Sequence, residues 1–262
     1  MDLGIRSKVA MVAAGSKGMG RATALALAAE GCAVSVCGRS ADSLATVKAE
    51  LEALGVPVLV VVADVAKAEG LVRWHQATEA ALGPVQILVT NTGGPKAAGS
   101  ADLSDGDWAA GVESTLMNVV RLSRLVLPGM RAAKWGRIVH ITSLVAKQPL
   151  PLLTISSTLR AGLSGFTRTL AMETAADGIT VNALLPGHIL TDRQHHLAEV
   201  KSATEGITTD EYFSRTAQAI PAGRIGHPEE IGAVITFLCG KPASYVTGQS
   251  LLVDGGLVQG TF

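Results

Sequence analysis

Three features of the sequence predict a doubly wound α/β fold built on a seven-stranded parallel sheet. The first is a set of seven short apolar runs at 9–13, 33–37, 58–62, 87–90, 137–142, 180–185 and 250–253. They lack the polar alternation of a half-solvated strand, as expected when helices cover both faces of a sheet. The second is their alternation with helix-patterned stretches near 19–30, 41–54, 67–81, 107–132, 152–176 and 228–239. Such β-α-β order implies parallel strands joined by right-handed crossovers. The third is a glycine-rich turn between the first strand and the first helix.

Taken in order, the element ends carry their own signals. Gly31, Gly55, Gly83 and Gly178 stand where a helix needs a left-handed cap. The last helix opens His227-Pro228-Glu229-Glu230, with proline in the first turn and acids at the positive end of the helix dipole. No Pro/Gly/Ser-rich linker interrupts the 262 residues, which predicts one domain over 1–262. The polar stretch at about 188–220 breaks the rhythm between the sixth strand and the last helix. A long insertion at a strand C-terminus of such a sheet is expected to form a lid over the ligand crevice.

Composition narrows the function. Lys plus Arg and Asp plus Glu both total 22, so there is no basic excess of the kind nucleic-acid binding uses. Cys32, Cys37 and Cys239 show no zinc or C-x-x-C spacing; they are expected as small buried hydrophobes in a reducing compartment, and no metal is expected. Arg6 and Lys8 interrupt residues 1–15, and no run reaches the roughly 18 apolar residues a membrane helix needs. A cytoplasmic protein with no leader and no membrane partner is therefore expected. Trp108 and Trp135 are expected in the core.

The turn after the first strand reads Ala14-Gly15-Ser16-Lys17-Gly18-Met19-Gly20-Arg21. Between a strand and a helix, such glycines let the backbone approach a pyrophosphate whose charge sits at the helix N-terminus. This is a dinucleotide site, and Gly15, Ser16, Lys17, Gly18, Met19 and Gly20 are its candidate residues. The second strand ends Cys37-Gly38-Arg39-Ser40, with no acid to accept the ribose hydroxyls of NAD. Arg39, with Lys17 as a second cation, suits a 2′-phosphate instead. NADP(H) is favoured over NAD(H).

Further segments carry a resemblance over nearly the whole chain. They are Ala63-Asp64-Val65 after the third strand, Thr90-Asn91-Thr92-Gly93 after the fourth, and Leu185-Pro186-Gly187-His188-Ile189-Leu190-Thr191 after the sixth. Arg224–Glu230, Tyr245-Val246-Thr247-Gly248-Gln249 and Asp254-Gly255-Gly256 follow. With the glycine turn, this ordered set resembles the short-chain dehydrogenase/reductase family, and the fold it implies is the Rossmann fold. The resemblance implies that Asp64 and Val65 contact adenine, that Asn91, Thr92 and Gly93 line the cofactor, and that Pro186, Gly187, Ile189 and Thr191 hold the carboxamide. It also implies a homo-oligomer, tetramer or dimer, built on helices 107–132 and 152–176 and the last strand.

Members of that family usually carry Asn, Ser, Tyr and Lys as a catalytic group. Here Ser143 matches the serine, but the tyrosine position falls on Ser156 and the lysine position on Arg160. The usual Asn position falls on Thr115, with Asn118 one turn further on. A serine hydroxyl is a weaker acid than a tyrosine and reaches less far, and an arginine shuttles protons poorly.

Three readings follow. The chain is a reductase of a ketone or 3-oxoacyl-like carbonyl, in which Ser143 polarises the carbonyl and a water held by Ser156 and Arg160 takes the tyrosine oxygen's place. Alternatively it is a silent NADP(H)-binding sensor, or the partner subunit of an active paralogue in a hetero-oligomer. The third reading is non-redox carbonyl chemistry, a lyase or isomerase, with His188 and Lys147 as acid–base candidates. Arg160 is also expected to hold ribose hydroxyls. His195 and His196 are expected as solvated helix histidines, and Leu144, Pro149, Leu150, Leu152 and Leu153 as an apolar wall.

Overall fold

The computed structural model describes residues 1–260. Seven strands, β1 (Val9–Val12), β2 (Ala33–Gly38), β3 (Val58–Val62), β4 (Ile87–Thr90), β5 (Gly136–Ile141), β6 (Ile179–Pro186) and β7 (Ser250–Val253), form one sheet in the order β3-β2-β1-β4-β5-β6-β7. Every pairing is parallel. Helices α1 (Gly18–Ala29), α2 (Ala41–Glu52), α3 (Ala68–Leu82), α4 (Asp105–Gly111), α5 (Asn118–Ala133), α6 (Thr154–Thr174), α7 (Asp192–Glu205), α8 (Thr209–Ala219) and α9 (Pro228–Cys239) complete it.

The apolar runs become strands because successive side chains are claimed by opposite faces. Ala10 and Val12 join α1, α2 and α9 in one core, whereas Val9, Met11 and Ala13 join α3, α5 and α6 in the other. A strand gripped from both sides has no polar face to display. The three cysteines are buried thiols; burial pushes Cys32 and Cys37 up to about 12 and Cys239 further still, so they pack as small apolar groups.

Two expectations are corrected. The stretch 107–132 is helical throughout but not regular α-helix: a π-helical turn, Val112–Met117, joins α4 to α5. The widened turn accompanies a close approach to α6, where a Cβ on Gly111 would lie 2.5 Å from Ile155 Cγ2. Such turns are usually local insertions into an α-helix. Trp108 is half-buried and belongs to neither core, whereas Trp135 packs against the core of α1, α2 and α9. Trp135 lies half-buried between the cations of Lys8 and Arg137, each 4.5 Å from its ring centre. The fully buried tryptophan is Trp74 on α3, whose Nε1 donates to Ser35 Oγ at 2.9 Å, with Thr78 Oγ1 2.7 Å from the same oxygen. The 188–220 segment carries two helices, α7 and α8, both N-capped by threonine: Thr191 for α7 and Thr208 for α8.

Gly178 shows why one helix end needs glycine. Its φ is +73°, and a Cβ there would stand 2.4 Å from the Lys134 carbonyl oxygen. Gly31, Gly55 and Gly83 share the positive φ.

Two predictions follow from this packing. Trp74→Phe removes volume and the bond to Ser35 together and should lower unfolding stability by about 1–3 kcal/mol, read by urea denaturation. His140, fully buried on β5, has its pKa pushed by burial from the ordinary 6.5 to about 3. The unfolded chain then binds the proton first, so the neutral ring's contribution is complete above about pH 6.5 and drains away as pH falls toward about 3. The difference in stability between wild type and His140→Gln should therefore vary across that window and be level above pH 7; a difference flat from pH 4 to 7 would contradict the burial argument.

Candidate active site

The site lies at the C-terminal ends of the strands, where β1 and β4 are neighbours and the chain leaves them toward opposite faces. After β1, Ala14 takes a φ of +46° and the glycine turn leads into α1. Gly20 must be glycine, because a Cβ there would stand 2.5 Å from the Ala14 carbonyl oxygen. From β4, Asn91 Nδ2 donates to that same oxygen at 3.4 Å and ties the two strand ends together.

The N-terminus of α1 is left bare. Its capping residue, Lys17, makes no side-chain cap, and no acid stands in its first turn. By contrast α2, α4, α7 and α8 are each closed by a serine or threonine oxygen. Free amides at a positive helix end suit an anion such as a diphosphate. A Cβ on Gly93 would meet nothing within 4 Å, so the crevice is open beside β4. These observations fit a bound dinucleotide.

The candidate residues fall into two groups. Met19, Asn91, Thr92 and Gly93 line one cleft with Ser143, Ser156 and Arg160. Pro186, Gly187, Ile189 and Thr191 close its other side. Gly15, Ser16, Lys17, Gly18, Gly20, Arg39, Asp64 and Val65 lie outside that cleft, along the ends of β1, β2 and β3. Asp64 Oδ1 accepts from the Ala66 amide at 3.0 Å. Arg39 is exposed just beyond β2 and makes no ion pair among the described residues. Lys17 is not idle: its Nζ stands 3.3 Å from Asp192 on α7.

Ser143 follows β5, and its Oγ accepts from the Val145 amide at 3.3 Å. Ser156 and Arg160 sit one turn apart on α6 and share its cleft-facing side. Arg160 Nε donates to Ser156 Oγ at 3.1 Å, and Nη1 donates to the Ile141 carbonyl at 3.4 Å. Each serine oxygen thus accepts from an N–H, which leaves its own hydroxyl proton free to point into the cleft. Burial, aided by the nearby charge of Arg193, pushes the Arg160 guanidinium down to about 10. It remains a cation at neutral pH.

Other candidates separate. His188 lines the cleft; burial lowers its pKa, and its Nδ1 lies 3.3 Å from Gln194 Nε2. Lys147 is exposed and does not line it. His195 packs edge-on against Phe213 at 5.2 Å, and His196 is exposed with Glu199 3.6 Å away. Leu144, Leu150 and Leu153 line the cleft, whereas Pro149 and Leu152 are exposed outside it. Thr115 and Asn118 are fully buried but outside the lining. No tyrosine or lysine lines the cleft: Tyr212 stacks beside Phe213 on α8, and Tyr245 is fully exposed. Arg193 and Gln194 do line it; nothing in the local sequence distinguishes them from surface residues of a polar helix.

Residues 13–258 match the family model described as enoyl-(acyl carrier protein) reductase. A 3-oxoacyl-[acyl-carrier-protein] reductase of Pseudomonas aeruginosa is 36% identical over 256 residues, covering 97% of this chain and 99% of that protein. L-sorbose reductase from Gluconobacter frateurii, solved with NADPH and L-sorbose, superposes with a TM-score of 0.95 at 35% identity, over 99% of this chain and 100% of that one. An actinorhodin polyketide ketoreductase variant, solved with NADPH, has a TM-score of 0.92 at 35% identity, over 95% of this chain and 97% of that one. A model match across the seven-stranded fold and full-length relatives above 30% identity agree: the chain belongs to the short-chain dehydrogenase/reductase family.

Proposed function

We propose that this protein is an NADPH-dependent short-chain oxidoreductase that reduces a ketone or 3-oxoacyl-like carbonyl to an alcohol through a serine–arginine site. The observation that carries the proposal is the convergence of Ser143, Ser156 and Arg160 on the cleft that Asn91, Gly93 and the 186–191 loop also line. Relatives that reduce oxoacyl groups, and neighbours solved with NADPH, support the reading.

Each residue has a physical role. The bare N-terminus of α1 holds the diphosphate, Arg39 grips the 2′-phosphate with its fork of donors, and Asp64 with Val65 borders the adenine. Lys17 adds a cation once it exchanges Asp192 for phosphate. Pro186, Gly187, Ile189 and Thr191 position the carboxamide, and Arg160 donates to ribose hydroxyls. NADPH, when bound, supplies the hydride that the carbonyl carbon accepts. Ser143 donates its free hydroxyl proton in a hydrogen bond to the carbonyl oxygen, where negative charge develops. A water held by Ser156 and Arg160 delivers the proton that completes the alcohol, and its hydroxide is reprotonated from solvent. Arg160 contributes a fixed positive charge beside that water and gives up no proton of its own.

Helix α7 serves as the lid, since its first turn already touches the glycine turn through Lys17–Asp192. A homo-oligomer is the assembly we expect; Met172 on α6 and Leu251 on β7 are large apolar side chains left exposed on the elements that would meet. A second reading, a silent binder of NADPH, is favoured by the absence of tyrosine and lysine from the cleft lining.

Two experiments test the proposal. Nucleotide fluorescence should show NADPH binding at least about tenfold tighter than NADH, with the margin lost in Arg39→Ala; equal affinity would overturn the charge argument. In a panel of ketones and 3-oxoacyl thioesters, Ser143→Ala should lower kcat/KM by about 100- to 1000-fold with NADPH binding intact. NADPH binding with no turnover on any carbonyl would favour the silent binder.

A further inference from the structure

The cleft carries two cations and no acid. Arg160 lines it as a buried residue, and Arg193, exposed in the first turn of α7, lines it as well. Among the described residues, the Arg160 side chain is held only by the Ser156 hydroxyl and the Ile141 carbonyl. Arg193 makes a single hydrogen bond among the described residues, from Nη1 to the Gly93 carbonyl. Most of its guanidinium fork is left unpaired. No aspartate or glutamate lines the cleft, and the neighbouring Asp192 is turned away to Lys17. The chain has no net charge, so this pairing of like charges is a local concentration rather than a general excess.

The backbone beneath Arg193 is shaped for it. Gly94 has a φ of +81°, and a Cβ there would stand 3.1 Å from both Cζ and Nη2 of Arg193. The guanidinium therefore rests over a glycine that leaves room for it. Two guanidinium groups near one another repel, and Arg160, which is buried without a counter-ion, bears a desolvation cost as well. An anion placed between them relieves both. The lining also carries the aliphatic side chains of Leu150, Leu153 and Leu197 beside the polar Gln194 and His188.

We propose that the substrate is an oxo acid whose free carboxylate is held by Arg193 while its ketone oxygen meets Ser143, so that the product is the corresponding hydroxy acid. This rests on the reductase reading above and deepens it. The redox balance is that of ketone reduction: the carbonyl carbon gains hydride from NADPH, the oxygen gains a proton from water, and the carboxylate is unchanged. A guanidinium fork matches a carboxylate by two parallel hydrogen bonds, which an ester cannot accept with the same strength. The cofactor's own diphosphate is a competing anion for Arg193, and the test separates the two.

The experiment needs no turnover. NADPH is first titrated into the protein, and the fluorescence of the bound nucleotide then reports the addition of 2-hydroxy and 3-hydroxy acids of four to eight carbons, each beside its methyl ester. We expect at least one hydroxy acid to bind about tenfold or more tightly than its ester. Arg193→Met should abolish that margin, Arg193→Lys should restore part of it, and NADPH affinity should stay within about twofold in both. Equal binding of acid and ester, no binding of either, or a margin that survives Arg193→Met would overturn the inference while leaving the reductase reading standing. A margin unchanged alongside tenfold weaker NADPH binding in Arg193→Met would overturn it too, assigning Arg193 to the diphosphate. Failure of the wild-type protein to bind NADPH would overturn both readings at the first step.

Discussion

Everything chemical in this molecule depends on the divergence of the chain beyond β1 and β4. The two strands pair side by side, yet one continues into the α1 layer and the other toward the α5 layer on the far face. Two crossovers leaving in opposite directions cannot fill the space between their first turns, so a crevice opens at the strand ends. It is narrow at the backbone, held by the Asn91 amide on the Ala14 carbonyl. Gly20 allows α1 to begin at once, with its amides presented to the crevice rather than covered by a side chain. The uncapped helix end and the serine–arginine cleft are two regions of that one opening.

The serine–arginine end of the cleft holds two hydroxyls that each already accept from an N–H. Val145 donates to Ser143 and Arg160 donates to Ser156. A hydroxyl that accepts from a cation is more polarised and donates more strongly. In the reduction proposed above, the site would set hydrogen-bond donors and positive charge where negative charge develops. Arg160 stays charged despite burial, and His188 is pushed toward its neutral form. Under the proposed reading the pattern is electrostatic stabilisation rather than side-chain proton exchange, with water as the mobile proton source.

Legibility followed the physics of each element. Strand positions were readable to within a residue or so, because a strand covered on both faces leaves an unbroken apolar run. Gly178 and its fellow caps were readable because only glycine takes positive φ cheaply. The π-helical turn at Val112–Met117 was not readable, since it accompanies the approach of Gly111 to Ile155 on another helix. The burial of Trp74 was not readable for a similar reason: its indole N–H meets Ser35 on β2, a different element. Leu152 and Pro149 read as cleft wall by proximity in sequence, but the loop turns them to solvent.

The sequence by itself determined the sheet class, the glycine turn, the absence of an acid after β2, and the presence of Ser156 and Arg160 one helical turn apart. These are local properties, set by periodicity, by backbone permissiveness and by spacing along a single element. Only the tertiary structure decided which cations share the cleft. Arg193 lies 33 residues beyond Arg160 on a mostly polar helix, and its place beside Gly93 and Gly94 comes from how α7 folds back across the crevice. The same folding drew Lys17 to Asp192 and left Lys147 in solvent. Charge acts through space, and the distances that weigh it exist only once the chain has closed on itself.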